Sequence, residues 1–178
     1  RKYGEGRERK TEIRNFDNIS AAAVAANNEK LYFNKKDAFV CTSAGLKKEQ
    51  NKDDYVFVSE CSDLDDFIVF REDGTFMVSK MQPKCFVGPE TPIFVKVFNK
   101  NDDRTIYNMV YRDGKSGNPY YVKRFAVKGV THDKNYDLTN GNKGSKVVYF
   151  SCNPNGEAET IKVFLRPNPK LKKTSFDF

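Results

Sequence analysis

Short apolar segments separated by polar turns recur along this chain, and they predict β-hairpins. In each copy an apolar, aromatic segment is followed by a polar turn and then by a second strand that ends in or near a base. The predicted hairpins pair residues 31–33 with 38–40, 68–70 with 76–80, 109–111 with 120–124, and 147–150 with 160–163. In the second hairpin, Asp73 and Gly74 supply the positive φ of a tight turn.

The hairpins recur at a nearly constant interval. When Phe33, Phe70, Tyr111 and Phe150 are taken as equivalent, the spacings are 37, 41 and 39 residues. A unit that repeats at about 40 residues is typical of β-blades. Extended segments between the hairpins bring each repeat to about four strands. We therefore predict an all-β fold of propeller-like blades over residues 29–178, with about four visible repeats.

The first 28 residues have a different composition from the rest. They are rich in charge, and Gly4 and Gly6 break any helix near the start. We predict that residues 1–28 are a connector from an upstream domain, in which the alanine-rich run 21–26 forms either a short helix or a first strand. Because the chain lacks an initial Met and residues 174–178 look like the start of a strand, we expect a piece of a longer protein.

Composition limits the class of protein. The 178 residues are 38% hydrophobic and 13% aromatic, with 15 Phe, 9 Tyr and no Trp, which allows a core and favours β structure. The longest apolar run is much shorter than the roughly 20 residues that span a membrane, so no membrane partner is expected. The four cysteines are far apart and there is one histidine. This spacing argues against a zinc site and favours isolated buried thiols.

Charge is unevenly distributed along the chain. The net charge is +7, yet residues 49–66 contain seven acids and one base, whereas residues 104–134 contain seven bases and two acids. A concentration of bases in the later repeats is typical of a surface that binds a polyanion. The alternative interpretation is that these bases are solvated and serve only solubility.

No catalytic set emerges from the sequence. His132 and Asp133 are adjacent and would point to opposite faces of a strand. Asp63, Asp65 and Asp66 lack the glycine and distal glutamate of a calcium loop, so we interpret them as an exposed acidic turn. Residues 141–146 are too short for a phosphate-binding loop, although they could place two lysines at a phosphate.

Bases at comparable places in successive hairpins form the better candidate site. If the blades pack side by side, these bases would follow one rim, which suits the regular charge of a duplex backbone. No pattern for base readout is present, so we predict binding by charge and shape, without sequence preference. The bases in or near the hairpins are Arg71, Lys80, Lys84, Arg112, Lys123, Arg124, Lys128, Lys143, Lys146 and Lys162.

Several segments resemble one known family. Residues 2–13 are similar to the segment that leaves the DNA-cleaving core in A subunits of bacterial type II topoisomerases. Residues 65–74 and 143–146 resemble the C-terminal domain of these subunits, most closely that of topoisomerase IV A subunits from Bacteroides-like bacteria. The similarity covers almost the whole chain.

The resemblance implies a β-pinwheel, in which neighbouring blades exchange strands and a basic outer rim binds and bends duplex DNA. Such a domain presents DNA to the core for ATP-dependent strand passage in decatenation or relaxation. The implied partners are duplex DNA, the ATPase B subunit and the cleavage core of the same A subunit. ATP and magnesium would bind elsewhere, with no cofactor in this fragment, and the location would be the bacterial cytoplasm, with the nucleoid.

Two motifs of the family are absent from this sequence. No Arg-Tyr pair marks a catalytic tyrosine, so we expect no cleavage by this fragment, and the Gln-Arg-Arg-Gly-Gly-Lys-Gly box of gyrase is missing, which favours decatenation and relaxation over supercoiling. The alternative function is a propeller-type scaffold for protein interactions that does not bind DNA. The DNA-binding residues carried over by position are Arg71, Lys80, Lys123, Arg124, Lys128, Lys146 and Lys162.

Overall fold

The computed structural model describes residues 28–49, 51–117, 119–167 and 173–178. Apart from Asn28, the predicted connector lies outside these residues. In the described ranges the chain is almost entirely β, which confirms the predicted all-β class, with one short helix, α1 (Ser43–Leu46), and a 3₁₀ turn (Lys52–Asp54). The strands are β1 (Glu29–Asn34), β2 (Phe39–Thr42), β3 (Tyr55–Cys61), β4 (Asp66–Arg71), β5 (Thr75–Lys80), β6 (Lys84–Phe86), β7 (Pro92–Phe98), β8 (Ile106–Arg112), β9 (Tyr120–Phe125), β10 (Tyr136–Asp137), β11 (Lys146–Asn153), β12 (Lys162–Phe164) and β13 (Ser175–Asp177).

The strands form three sheets and a two-stranded ribbon. The first sheet has the order β3-β1-β2-β6, the second β10-β5-β4-β7 and the third β11-β8-β9, while β12 and β13 form the terminal ribbon. All pairings are antiparallel. The expected blades of about four strands are thus present twice in full, and the pinwheel assignment itself stays a prediction.

One connection rule generates these sheets. Each of the three contains a hairpin of consecutive strands, β1-β2, β4-β5 or β8-β9, and a later strand, β3, β7 or β11, returns to pair with the first hairpin strand. In the first two sheets, the second hairpin strand receives a strand from further along the chain. β6 follows the β4-β5 hairpin and pairs with β2, and β10 follows the β8-β9 hairpin and pairs with β5. We call β6 and β10 the exchanged strands.

The first three predicted hairpins are confirmed, and so is the turn chemistry of the second. Gly74 has a φ of 85°, and its N–H donates to the Arg71 carbonyl at 3.0 Å. In the first hairpin the corresponding turn residue, Ala38, also has a positive φ, of 55°.

The predicted fourth hairpin is wrong. β11 does not turn back to pair with β12; it pairs with β8 and completes the third sheet, whereas β12 pairs with β13. The physical reason is a set of side-chain hydrogen bonds to Glu159. The Glu159 carboxylate accepts hydrogen bonds from Asn108 at 3.0 Å and from Asn153 at 3.2 Å, and also from the hydroxyls of Tyr149 and Ser151. These bonds hold the segment after β11 against the outer side of the third sheet.

The core lies between successive sheets. Leu31 and Val40 of the first sheet pack with Phe67 and Val69 of β4. The alternate β4 residues, Ile68 and Phe70, face the third sheet, where the Phe70 ring lies 4.9 Å from Tyr107 and 4.5 Å from Phe150, centroid to centroid. β4 is thus buried on both faces, which explains its continuous apolar sequence.

Candidate nucleic-acid interface

The seven predicted DNA-binding bases fall into two groups. Two of them, Arg71 and Lys123, are directed into contacts between sheets. The other five have exposed side chains and lie at strand ends, on the edge strand β9 or in the loop after it: Lys80, Arg124, Lys128, Lys146 and Lys162.

Arg71 is an interior residue. Its side chain is 4% exposed, Nε donates to the Val87 carbonyl, and Nη1 donates to Thr75 Oγ1 at 3.1 Å and to Asn135 Oδ1 at 3.0 Å. Burial lowers the pKa of the guanidinium, against the smaller opposing effect of Asp73. The prediction that Arg71 lies on an exposed rim is therefore wrong.

Lys123 has a similar internal contact. It is half-buried on β9, Nζ donates to the Leu138 carbonyl, and the ammonium lies 5.7 Å from the centroid of the Tyr111 ring. Val87 and Leu138 are each the residue immediately after an exchanged strand. Arg71 and Lys123 therefore hold the ends of β6 and β10 in place, and we call them the two latches.

Lys128 and Lys146 form exposed ion pairs. Lys128 Nζ lies 2.7 Å from Asp103 Oδ1, and Lys146 Nζ lies 2.9 Å from Glu72 Oε1. Exposed pairs of this kind contribute only about 0–1 kcal/mol. Both ammonium groups can consequently exchange a carboxylate for another anion at little cost.

Arg124 combines exposure with a structural contact. Its Nη2 donates to the Gly156 carbonyl at 2.9 Å, and Nη1 donates to the Glu157 carbonyl at 3.4 Å. These bonds fix the turn after β11 beside β9. Because carbonyl groups do not neutralise the guanidinium, Arg124 keeps its full charge at the surface.

Lys80 and Lys162 lie opposite acids in their ladders. Lys80 is the cross-strand partner of Asp66, and Lys162 is the partner of Asp177. Asp66 is also paired with His132, whose Nε2 lies 2.8 Å from Oδ2.

Two loops near the end of the third sheet are joined by a buried carboxylate. Asp113 accepts hydrogen bonds from Asn140 at 3.0 Å and from Asn142 at 2.9 Å, and these bonds hold its pKa below the usual value. The loops also touch through backbone, because a Cβ on Gly114 would lie 1.8 Å from the Lys143 carbonyl oxygen. Residues 113–117 and 139–146 thus form one unit, which we call the lysine loops.

The lysine loops display three exposed bases: Lys115, Lys143 and Lys146. Sequence reasoning placed Lys143 near a hairpin and missed Lys115. The sequence feature that could have indicated this unit is the polar set Asn140, Asn142 and Ser145. All three side chains donate hydrogen bonds to Asp113 and so join the two loops.

The first sheet does not carry such an excess of bases. There, bases are matched by acids, as in Lys36 with Asp54 at 2.6 Å and Lys84 with Glu49 at 2.7 Å. Burial, assisted by the negative charge of Glu49, raises the pKa of Tyr55 to about 12. The excess of bases lies in the third sheet and its loops, in agreement with the sequence, in which residues 104–134 contain seven bases and two acids.

The described residues were compared with the requirements of a metal site and of a membrane-spanning helix, and they meet neither. Within residues 28–49, 51–117, 119–167 and 173–178, no group of three or more His, Cys, Asp or Glu side chains is arranged to hold a metal ion. No helix of the described part has the length and apolarity needed to cross a membrane. All four cysteines are free; Cys41 and Cys61 are buried, and Cys85 and Cys152 are partly buried.

Comparison with known proteins identifies the family. A family model described as topoisomerase C-terminal domain, Bacteroidota, matches residues 30–178. The chain belongs to this family. The resemblance to type II topoisomerase A subunits is thereby confirmed. The chain is also 28% identical over 153 residues to the A subunit of DNA topoisomerase 4 from Borreliella burgdorferi, a match that covers 86% of this chain and 22% of that protein.

The topoisomerase domain thus spans about a fifth of the length of this curated relative. No solved structure matches the chain. The family assignment and the exposed bases of the third sheet are independent observations, because the first comes from sequence similarity and the second from side-chain geometry.

Proposed function

We propose that this topoisomerase C-terminal domain binds duplex DNA without sequence preference, through exposed bases that lie mainly on the third sheet and its loops, together with Lys80 of the second sheet and Lys162 of the terminal ribbon. Their exposure supports this proposal most directly. The proposed contact residues are Lys80, Lys115, Arg124, Lys128, Lys143, Lys146 and Lys162. Arg71 and Lys123 are left out because Arg71 is buried, Lys123 is half-buried, and both side chains are directed into contacts between sheets.

Lack of sequence preference follows from the kind of side chain available. Six of the seven contact residues are lysines, which approach phosphates as point charges on flexible stems. Base readout needs bidentate groups placed against the groove edges, and Arg124, the one guanidinium of the proposed set, already donates to the Gly156 and Glu157 carbonyls. Contacts spread over several loops also favour a bent duplex, because bending brings more phosphates within reach.

In the parent enzyme, the domain would present a DNA segment for strand passage and would itself be non-catalytic. The family and the relative's name support a role within a type II topoisomerase A subunit. An ATPase B subunit and the cleavage core of the same A subunit would supply DNA cleavage, ATP and magnesium. The reaction would be decatenation or relaxation, on DNA in the bacterial cytoplasm.

Fluorescence anisotropy with random-sequence duplexes tests the proposal. Each phosphate contact should contribute about −0.9 to the slope of log affinity against log salt. We expect salt-sensitive binding of similar strength for unrelated sequences. A chain that stays folded and does not bind at low salt would instead support the protein-interaction scaffold, and strong preference for one duplex would contradict charge-driven recognition.

A further inference from the structure

Asp113 is a buried acid at the junction of two basic loops. Its side chain is 1% exposed, and the lysine loops that it joins display Lys115, Lys143 and Lys146. By charge alone, an acid at this place would weaken the binding of a polyanion. We propose that Asp113 is a positioning residue for DNA binding, which fixes the two loops so that their three ammonium groups meet the phosphate backbone together. This inference rests on the proposed function.

The Asp113 carboxylate is bonded to both loops. Oδ2 accepts a hydrogen bond from Asn140 Nδ2 at 3.0 Å, and Oδ1 accepts one from Asn142 Nδ2 at 2.9 Å. On its own loop, Oδ1 accepts from the Lys115 N–H at 3.4 Å. The two asparagines lie 27 and 29 residues further along the chain, so one side chain determines where the second loop lies relative to the first.

These bonds leave the bases of the loops available. Asp113 is held by neutral amides and a backbone N–H, and among the described residues no lysine or arginine side chain forms an ion pair with it. The bond from Asn140, with that from Asn142, holds the pKa of Asp113 below its usual value, so the carboxylate stays charged and bound. The acid therefore joins the loops without neutralising their ammonium groups.

A second contact between the loops involves the backbone. The Gly114 N–H donates to Ser145 Oγ at 3.2 Å, and a Cβ on Gly114 would lie 1.8 Å from the Lys143 carbonyl oxygen. The two loops are thus in direct contact on both sides of the carboxylate. Because a loop that is fixed before binding loses less conformational freedom on binding, this arrangement should raise the affinity for a phosphate backbone.

The equivalent acid of the second sheet is arranged differently. Asp73 and Asp113 each precede a glycine after the first strand of their hairpin. Asp73 Oδ1 accepts from the Thr75 N–H at 2.9 Å and from the Thr75 hydroxyl at 2.7 Å, so its bonds stay within its own turn. Joining two loops is therefore not a general property of these Asp-Gly turns. Asp73 provides the matched control, because its neutralisation removes the same charge without separating the lysine loops.

The test measures the affinity of the 178-residue chain for a random-sequence duplex by fluorescence anisotropy at one salt concentration. Asp113→Asn removes a negative charge, yet it should weaken binding roughly three- to tenfold, because an amide cannot accept from both asparagines and the loops lose their fixed arrangement. Asp73→Asn makes the same change of charge and should leave the affinity within about twofold of that of the unchanged chain. Urea midpoints show that each variant is folded under the assay conditions.

A second variant separates the loops without a change of charge. Asn140→Ala/Asn142→Ala removes both donors and should weaken binding by a factor similar to that for Asp113→Asn. An account based on charge alone predicts no change in this variant. It also keeps the inference testable if Asp113→Asn lowers the folded fraction.

A double-mutant cycle distinguishes positioning from a general loss of stability. Asp113→Asn is combined with Lys115→Gln/Lys143→Gln/Lys146→Gln. If Asp113 acts through these lysines, its replacement should change the affinity by less than about twofold once they are gone. A merely structural role would weaken binding by the same factor in both backgrounds.

Two results would overturn the inference while the proposed function stands. One is that folded Asp113→Asn binds the duplex as tightly as the unchanged chain, or more tightly. The other is that the loss of affinity is equal with and without the three lysines. An unchanged chain that does not bind the duplex at low salt would overturn the proposed function itself, so the two failures are distinguishable.

Discussion

The second and third sheets are built on equivalent hairpins, β4-β5 and β8-β9, but they differ in whether the second hairpin strand is covered by another strand. In the second sheet, β5 is covered by an exchanged strand and β4 is buried on both faces. In the third sheet, β9 lacks such a strand among the described residues, and Tyr120 and Val122 remain exposed. The comparison shows that the hairpin alone does not complete a blade. Completion requires a strand from the following repeat and a latch that holds its end.

The two latches show how the same contact arises from different sequence positions. Arg71 reaches the Val87 carbonyl from the end of the first strand of its hairpin, and Lys123 reaches the Leu138 carbonyl from the middle of the second strand of the next hairpin. In both cases a cation from one sheet binds the exchanged strand of the preceding sheet. Basic residues in the hairpins thus have two roles, internal latching and surface charge.

The largest expected difference in stability is between a variant in the aromatic core and a variant in the terminal ribbon. Phe70→Ala should lower the free energy of unfolding by about 3–5 kcal/mol, because the Phe70 ring contacts five other aromatic rings. Phe164, on the ribbon, is 74% exposed, and Phe164→Ala should cost less than about 0.5 kcal/mol. Urea denaturation of both variants measures the difference, and similar losses would contradict the assignment of the core.

The next largest loss of stability is expected when either of the two latches, Arg71 or Lys123, is replaced. Arg71→Met should destabilise the fold by about 2 kcal/mol, since it leaves the buried Val87 carbonyl without its donor, whereas the half-buried Lys123→Met should cost about 1 kcal/mol. Cys85 lies on β6 and reports release of that strand. Alkylation of Cys85 should accelerate in Arg71→Met and stay unchanged in Lys123→Met. Equal alkylation rates in Arg71→Met and the parent would refute the latch.

Part of this organisation was readable from the sequence, for physical reasons. The hairpin at Asp73-Gly74 was predicted because a tight turn needs a positive φ, and β4 because both its faces are apolar. The exchanged strands were predicted only as extended segments between the hairpins and, through the family resemblance, as an exchange between neighbouring blades. Their bounds and pairing partners were not predicted, because β10 has two residues and shows no periodicity. Arg71 was wrongly predicted to be exposed, because the local sequence of a base at a strand end beside a polar turn is the same whether the side chain is solvated or bound to a carbonyl.

The smallest effect concerns thiols in the first sheet. Burial raises the pKa of Cys41 and of Cys61 to about 11 in each case. A raised folded-state pKa means that stability is fully present below the unfolded-state value and is lost as pH rises towards 11. Urea midpoints should therefore fall above pH 9, and Cys41→Ala/Cys61→Ala should reduce that fall. An unchanged pH profile in the double variant would exclude these thiols as its cause.

The most direct test of the account compares charge on two sides of the molecule. Lys115→Gln/Lys143→Gln/Lys146→Gln removes three bases from the lysine loops, and Lys35→Gln/Lys47→Gln/Lys48→Gln removes three exposed bases near the first sheet. In duplex titrations over a range of salt, the first variant should flatten the slope of log affinity against log salt by roughly 2.7, with little change in the second. Equal changes in the two variants would show that net charge, and not the third sheet, determines DNA binding.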